Sequence, residues 1–402
     1  MKKRIILLVL FSLILIADIL LYFEVYKNDE EVDNEINVNI VTIKDLVFEY
    51  DSKVLLSDVL ELDIDGYLDT EKLGTNSRTI THEDKDYIIN YEVVDTTAPI
   101  IMGSTTKKTY VGEKINLVNK YLCGDNHDSK PKCRIEGDYD INTKGTYKLT
   151  YVAEDTSGNK TTKSIKLKVI EKPTNTGSNN TSSSSTSSIK TTKLSKYIKK
   201  HKKENTKIGI DVSAWQDDID WKKAKNDGVE FAILRIGFGH TNSNELVLDK
   251  WFKNNLKKTK ELNIPIGLYF YSYAKTKEQA KEQAKWIVKE LNGRKLDLPI
   301  AFDWENWNSF NKYNVSFKEL SDIANAFIEE VENNGYQGML YSSAYYLNHM
   351  WRDFDNTWVA YYTDNNDFKK PYIMWQLSSK GKVDGITGPV DIDILYENKN
   401  EH

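Results

Sequence analysis

Between residues 207 and 396 short apolar runs alternate with longer amphipathic ones, and few folds accept that alternation. Candidate strands fall at 208–212, 231–237, 266–273, 299–303, 338–341, 358–362, 373–376 and 390–395. Helical stretches lie between the early ones, at 221–226, 250–262, 278–291 and 317–332. After Tyr341 the helices thin out and strands crowd together. Eight strands with helices behind the first several predict an α/β barrel of TIM type with a degenerate final third. The near-continuous apolar runs suit buried parallel strands. In such a barrel, chemistry belongs to the C-terminal ends of the strands.

Acids occupy those ends. The run Leu298-Pro299-Ile300-Ala301-Phe302 closes on Asp303-Trp304-Glu305, and Ile208-Gly209-Ile210 closes on Asp211. Residues two apart on a strand face the same way, roughly 6.5–7 Å apart, so Asp303 and Glu305 share a side. In Val390-Asp391-Ile392-Asp393-Ile394 both acids alternate with branched apolar side chains, which places them on the lumen or its mouth. An inward carboxylate must be paired or employed. One acid alone is as easily a solvated strand end; several converging on one rim suit acid-catalysed cleavage of a glycosidic bond. No Gly-rich phosphate loop, Ser/His pair or metal-ligand cluster accompanies them, so no cofactor is expected.

The remainder of the chain reads as export and spacing. Lys2-Lys3-Arg4 precedes an apolar stretch at 5–23, broken only by Ser12, Asp18 and Tyr22, and no small-residue cleavage site follows it. That pattern predicts residues 1–23 as a cytoplasmic flank and transmembrane anchor, hence a single-pass cell-membrane protein with its C-terminal region outside. Secretion after signal cleavage is the alternative. Residues 24–95 and 96–171 read as two all-β modules. Ile64-Asp65-Gly66, Asp69 and Gly74-Thr75 recur as Ile135-Glu136-Gly137, Asp140 and Gly145-Thr146, a repeat offset of 71. The first module is acidic, with 20 Asp/Glu against 6 Lys/Arg between Glu24 and Asp95. Its Glu61-x-Asp63-x-Asp65-Gly66 run lacks the bidentate Glu of a calcium loop, since Lys72 stands at the twelfth position. Cys123 and Cys133, the only cysteines, predict a disulfide clip outside the cell. Residues 172–206 form a Ser/Thr/Lys-rich linker ending in a basic segment. Net charge is only −5, which gives no ground for a nucleic-acid partner.

The ordered motifs Gly209-Ile210-Asp211-Val212-Ser213-Ala214-Trp215-Gln216, Ile219-Asp220-Trp221, Phe231-Ala232-Ile233-Leu234-Arg235, Ala301-Phe302-Asp303-Trp304-Glu305-Asn306, Trp358-Val359-Ala360-Tyr361-Tyr362, Met374-Trp375-Gln376 and Val390-Asp391-Ile392 resemble those of glycoside hydrolase family 25 lysozymes. The resemblance covers residues 207–396 and none of the N-terminal half. It implies a (β/α)5(β)3 barrel that cuts the β-1,4 bond between N-acetylmuramic acid and N-acetylglucosamine in peptidoglycan. It implies Glu305 as general acid, with Asp303, Asp211 and Asp391 as the other active-site carboxylates. The segment from Asp95 to Asn159 resembles bacterial immunoglobulin-like modules.

Around these acids Tyr271, Tyr341, Tyr361 and Trp375 fall near strand ends, where aromatic faces suit sugar rings, and Gln376 can hydrogen-bond a sugar substituent. Arg235, on an apolar strand, needs carboxylate partners and is expected to brace the acids. Two positions depart from the family: Asp217 stands where Gly is usual, predicting local strain or altered rim charge without loss of catalysis, and Asp393 where Asn is more common, predicting a higher pH optimum. A worn-out barrel that only holds glycan, and a glycosidase for chitin-like polymer, are the rival readings.

Overall fold

In the computed structural model the described residues are 39–173, 190–240, 243 and 245–397. They divide into two compact units that part between Val94 and Asp95. In the first unit, strands β1 (Asn39–Glu49), β2 (Gly74–His82) and β3 (Lys85–Val94) form one sheet in the order β1-β3-β2, with a short helix α1 (Leu56–Leu60). β2 and β3 are joined by Glu83 and Asp84, both at positive φ, a turn whose twist suits a two-residue hairpin.

The second unit begins with a β module. Strands β4 (Ile100–Met102) and β6 (Leu122–Gly124) pair, and β5 (Thr106–Tyr110), β7 (Lys132–Glu136), β8 (Gly145–Glu154) and β9 (Lys160–Ile170) form a sheet in the order β5-β9-β8-β7. Leu117, Tyr121, Leu149, Tyr151, Ile165 and Leu167 are buried between them. Cys123 and Cys133 are joined in a disulfide.

The barrel follows β10 (Thr192–Lys193) and helix α2 (Leu194–His201). Its elements are β11 (Thr206–Val212), α3 (Trp221–Asp227), β12 (Phe231–Gly239), β13 (Leu246–Leu248), α4 (Phe252–Glu261), β14 (Ile266–Tyr271), α5 (Lys277–Leu291), β15 (Ile300–Asp303), α6 (Phe317–Asn333), β16 (Gly338–Ser343), α7 (Ala344–His349), β17 (Thr357–Ala360), β18 (Met374–Lys382) and β19 (Val390–Tyr396). Neighbours run β18-β17-β16-β15-β14-β12-β11-β19, and β19 returns to β18, so eight strands close. Strand parity sorts the side chains. Ile208, Ile210, Leu234, Phe270, Phe302, Leu340, Val359 and Ile392 pack outward under the helices. Phe231, Ile233, Ala301, Met339, Trp358 and Met374 fill the interior. The interior is tight: a Cβ on Gly209 would stand 2.6 Å from the Phe231 ring, so that position is held to glycine by close approach.

Three expectations are corrected. The barrel is not a regular TIM-type (β/α) barrel: β19 runs antiparallel to both neighbours, and among the described residues no helix separates β17 from β18 or β18 from β19. Among the described residues no helix is long and apolar enough to cross a membrane. The transmembrane helix of the expected fold, and the single-pass membrane placement resting on it, are therefore not found there; the stretch that suggested them, 5–23, lies outside the described residues. Third, the expected linker does not extend to residue 206. Residues 174–189 lie outside the described residues, but Thr192 and Lys193 pair with β18 and Leu194 is fully buried, so the basic segment is part of the barrel.

The β module also packs on the barrel. Leu122 joins the barrel core, and Gly124 lies so close to Phe310 and Phe317 that a Cβ there would meet their rings at 2.6 and 2.7 Å. The amide of Cys123 donates to Asn311 Oδ1 (3.0 Å), and the Asn311 side-chain amide returns to the Tyr121 carbonyl (3.1 Å). The first amides of α6, from Phe317 and Lys318, donate to the carbonyls of Asp125 and Asn126, which satisfies helix-start donors that lack intrahelical partners.

Candidate active site

The strands deliver five carboxyls to one rim. β11 turns Asp211 inward because Ile210 and Val212 take the outer layer, and β19 does the same for Asp391 and Asp393 opposite Ile392 and Ile394. Asp211 and Asp391 stand directly across the β11–β19 ladder. β15 ends on Asp303, paired between Tyr271 of β14 and Tyr341 of β16. Trp304 then turns outward, fully buried edge-on against Trp307 and Tyr313 (ring centroids 4.9 and 5.0 Å). With that indole fixed, Glu305 comes back to the rim.

Their environments differ. Asp393 is fully buried, accepts from Trp358 Nε1 at 3.0 Å, and is held well above the usual carboxylate range by burial and the nearby Asp211 and Asp391 charges. Its side chain also hydrogen-bonds Asp211, which favours the proton on Asp393. Asp211 also accepts from Gln376 Nε2 (2.8 Å), yet burial, then Asp391, raise it too. Asp303 is raised by burial, then by Glu305 and Asp211, against a lowering pull from Arg235; its Oδ1 is buried without a hydrogen-bond partner. Asp391, half-buried, is pushed up to about 6 by burial. Glu305 is the member open to solvent, but protein atoms crowd its carboxyl. That desolvation, followed by the Asp391 charge, raises it above the ordinary glutamate value. Openness lets a substrate reach it, while crowding penalises its anion. The protons belong to the set rather than to single residues.

Of the side chains expected around these acids, Gln376 is the hub. Besides holding Asp211, its Oε1 accepts from Tyr341 Oη and Tyr362 Oη, both at 2.9 Å. Tyr271 lies close enough for Glu305 and Asp303 to raise it further after burial. Tyr361 and Trp375 are placed elsewhere: Trp375 packs in the outer layer, donating to the Tyr361 carbonyl (2.8 Å), and the Tyr361 hydroxyl engages Asp367. Arg235 does not pair directly with the acid cluster. Its Nε and its guanidinium nitrogen both bind Asp249 Oδ2 at 2.7 Å, and the same oxygen accepts the Ala214 amide, so the pair fastens the turn after β11.

Three residues went unread in the sequence. Tyr362 shares the parity of Trp358 and Ala360, which pointed it inward. Trp215, 83% exposed in the turn after β11, offers a bare indole face at the rim. Asp249 carries no sequence signal. An open cleft of about 790 Å³ runs past Trp215, Arg235, Phe238, His240, Tyr271 and Tyr273. Asp217, in the turn after Trp215, sits at φ 48° and ψ −141°, a conformation that favours glycine.

Crowded carboxyls at one rim, one of them accessible and with its proton affinity raised, are the equipment of a glycoside hydrolase. Residues 210–386, all within the barrel, match glycosyl hydrolases family 25, which supports a lysozyme-like glycoside hydrolase domain there. The uncharacterized protein YegX of Escherichia coli strain K12 is 29% identical over 198 residues, 46% of this chain and 68% of that protein. The autolytic lysozyme of Clostridium acetobutylicum is 26% identical over 196 residues, 47% of this chain and 56% of that one. Among solved structures, the modular autolysin LytC from Streptococcus pneumoniae matches at 24% identity with a TM-score of 0.43, over 61% of this chain and 56% of that one. The matched region therefore spans little more than half the length of both the autolytic lysozyme and LytC.

Proposed function

We propose that the chain is a muramidase that cleaves the β-1,4 bond between N-acetylmuramic acid and N-acetylglucosamine in peptidoglycan. The observation that carries this reading is Glu305, reachable from solvent yet with its proton affinity raised by desolvation and Asp391. Glu305 gives its proton to the glycosidic oxygen as the bond to the anomeric carbon breaks; water then adds to that carbon and a proton returns to Glu305. Asp303 faces the developing positive charge, or orients the acetamido group for attack on that carbon; its unpartnered Oδ1 is available for either. Asp211, held by Gln376 and Asp393, and Asp391 keep the local field negative, which favours the oxocarbenium-like transition state. Trp215 and Tyr271 supply ring faces along the groove, Tyr362 presents its ring beside Gln376, and the β modules, the second of them immunoglobulin-like by resemblance, act as spacers.

The test is digestion of purified peptidoglycan with the full chain and with its Glu305→Gln variant, followed by mass spectrometry of the new reducing ends. Muramic reducing termini from the parent, falling by at least about a hundredfold in the variant, are expected. Equal release by both chains refutes Glu305 as the acid, and no release by either leaves the barrel a glycan-binding device.

A further inference from the structure

The second β module carries a feature that the hydrolase reading does not use. Asp95, Asp125 and Asp155 come from three separate places: just after β3, just after β6 and just after β8. All three are buried, and one side-chain oxygen from each lies within 4.8 Å of the others. Among the described residues none of them pairs with a Lys or Arg, although uncompensated buried charge is among the costliest arrangements a fold can hold.

Most of their oxygens are accounted for. Asp125 Oδ1 accepts the amides of His127 and Asp128 (2.9 and 2.8 Å). The Asp155 oxygens take the amide and side chain of Asn159 (2.8 and 2.9 Å). Asp95 receives Asn126 Nδ2 and Ser157 Oγ (3.1 and 3.3 Å). Asp125 Oδ2 is different: the residue is 1% exposed, and this oxygen has no partner at all. The side-chain oxygen of the next residue, Asn126, is likewise buried and unpartnered. An all-oxygen donor set of three carboxylates and an amide, with no thiolate and no imidazole, suits a hard cation. Donors arriving from three loops suit one that tolerates irregular coordination.

We propose that Asp95, Asp125 and Asp155 bind a calcium ion, with Asn126 as a fourth protein ligand. The site stands at the joint between module and barrel, because the carbonyls of Asp125 and Asn126 receive the first amides of α6. Filling it holds that turn in the shape that caps the helix. The ion is thus a fastener between the β module and the barrel, outside the carboxyl rim.

The experiment uses the full chain stripped with EGTA, then examined by isothermal titration with calcium chloride and by thermal unfolding in 5 mM calcium or 5 mM magnesium. The expected result is one calcium per chain and a rise of about 5 °C in the unfolding transition with calcium only, from a dissociation constant on the order of 10⁻⁴ M. Asp125→Asn should lose both the heat and the shift; Asp155→Asn is the second variant should the first fail to fold. No calcium response in the parent chain overturns the proposal. So does an equal response to magnesium, or a response that survives in both variants, which would trace it to the acidic first module instead.

Discussion

Asp393 is the acid whose removal tests the electrostatics of the barrel most directly. Asn in its place keeps the shape. Its oxygen still accepts from Trp358 Nε1, now at 3.0 Å, and its amide can donate to Asp211 where the carboxyl proton did. Only the titration is lost. In the unfolded chain Asp393 releases its proton near pH 4, whereas in the fold burial and the Asp211 and Asp391 charges hold it well above that. Folding therefore takes up a proton between those two values. A raised carboxyl contributes stability that is full below the unfolded pKa and is lost as pH climbs to the folded one, at about 1.4 kcal/mol per pH unit.

Asp393→Asn should therefore match the parent near pH 4 and become the more stable protein as pH rises, its advantage growing by about 1.4 kcal/mol for each pH unit over which the folded parent keeps the proton that the unfolded chain has lost. Urea unfolding followed by tryptophan fluorescence reads this cleanly, because all nine Trp lie between Trp215 and Trp375 and report on the barrel alone. Parallel stability curves from pH 4.5 to 8 would show that Asp393 is not the proton holder, and the description of the rim would fail with it.

Other substitutions probe neighbouring parts of the same construction. Asp391→Asn removes the charge that helps Glu305 keep its proton, so the alkaline limb of the pH–rate profile should move to lower pH; an unmoved limb would leave desolvation as the sole cause. Arg235→Met strands Asp249, whose side chain is 1% exposed, and should cost about 3 kcal/mol in urea unfolding, the surviving backbone amides keeping it at the low end for a broken buried pair. Asp217→Gly relieves a backbone conformation that disfavours any side chain and should stabilise the barrel by about 1 kcal/mol while leaving the acids in place; a destabilised variant would mean that Asp217 is held there by contacts worth more than the strain.

The rim was readable because it depends on strand parity, which is local. Asp211, Asp303, Asp391 and Asp393 each alternate with apolar neighbours, and the outer core takes those neighbours. The same rule, applied one residue further, would have chosen Tyr362 over Tyr361 and set Trp375 apart from Gln376, since adjacent positions cannot share a face. Proximity to a strand end was the weaker guide. What parity cannot supply is contact between distant segments. Asp249 finds Arg235 only once β13 folds back on β12, and the Ala214 amide only once β11 lies alongside, while the Cys123 amide meets Asn311 across 188 positions of sequence.

The direction of the last strand was within reach on different grounds. A parallel pair needs a crossover of a dozen residues or more, while a short loop forces the chain back beside itself. β18 ends at Lys382 and β19 begins at Val390, which leaves 383–389 to make the turn. That is too little chain to carry β19 back to the opposite end of the sheet, so it must run against β18, and closing the barrel then sets it against β11 as well. The antiparallel strand has a consequence for the site. Its two inward acids enter the rim from the start of β19 instead of from its end, and Asp391 is thereby placed across the ladder from Asp211, in reach of Glu305. A parallel strand of the same sequence would have left both acids at the far mouth of the barrel. The short loop after Lys382 therefore does as much to raise the proton affinity of Glu305 as any residue beside it.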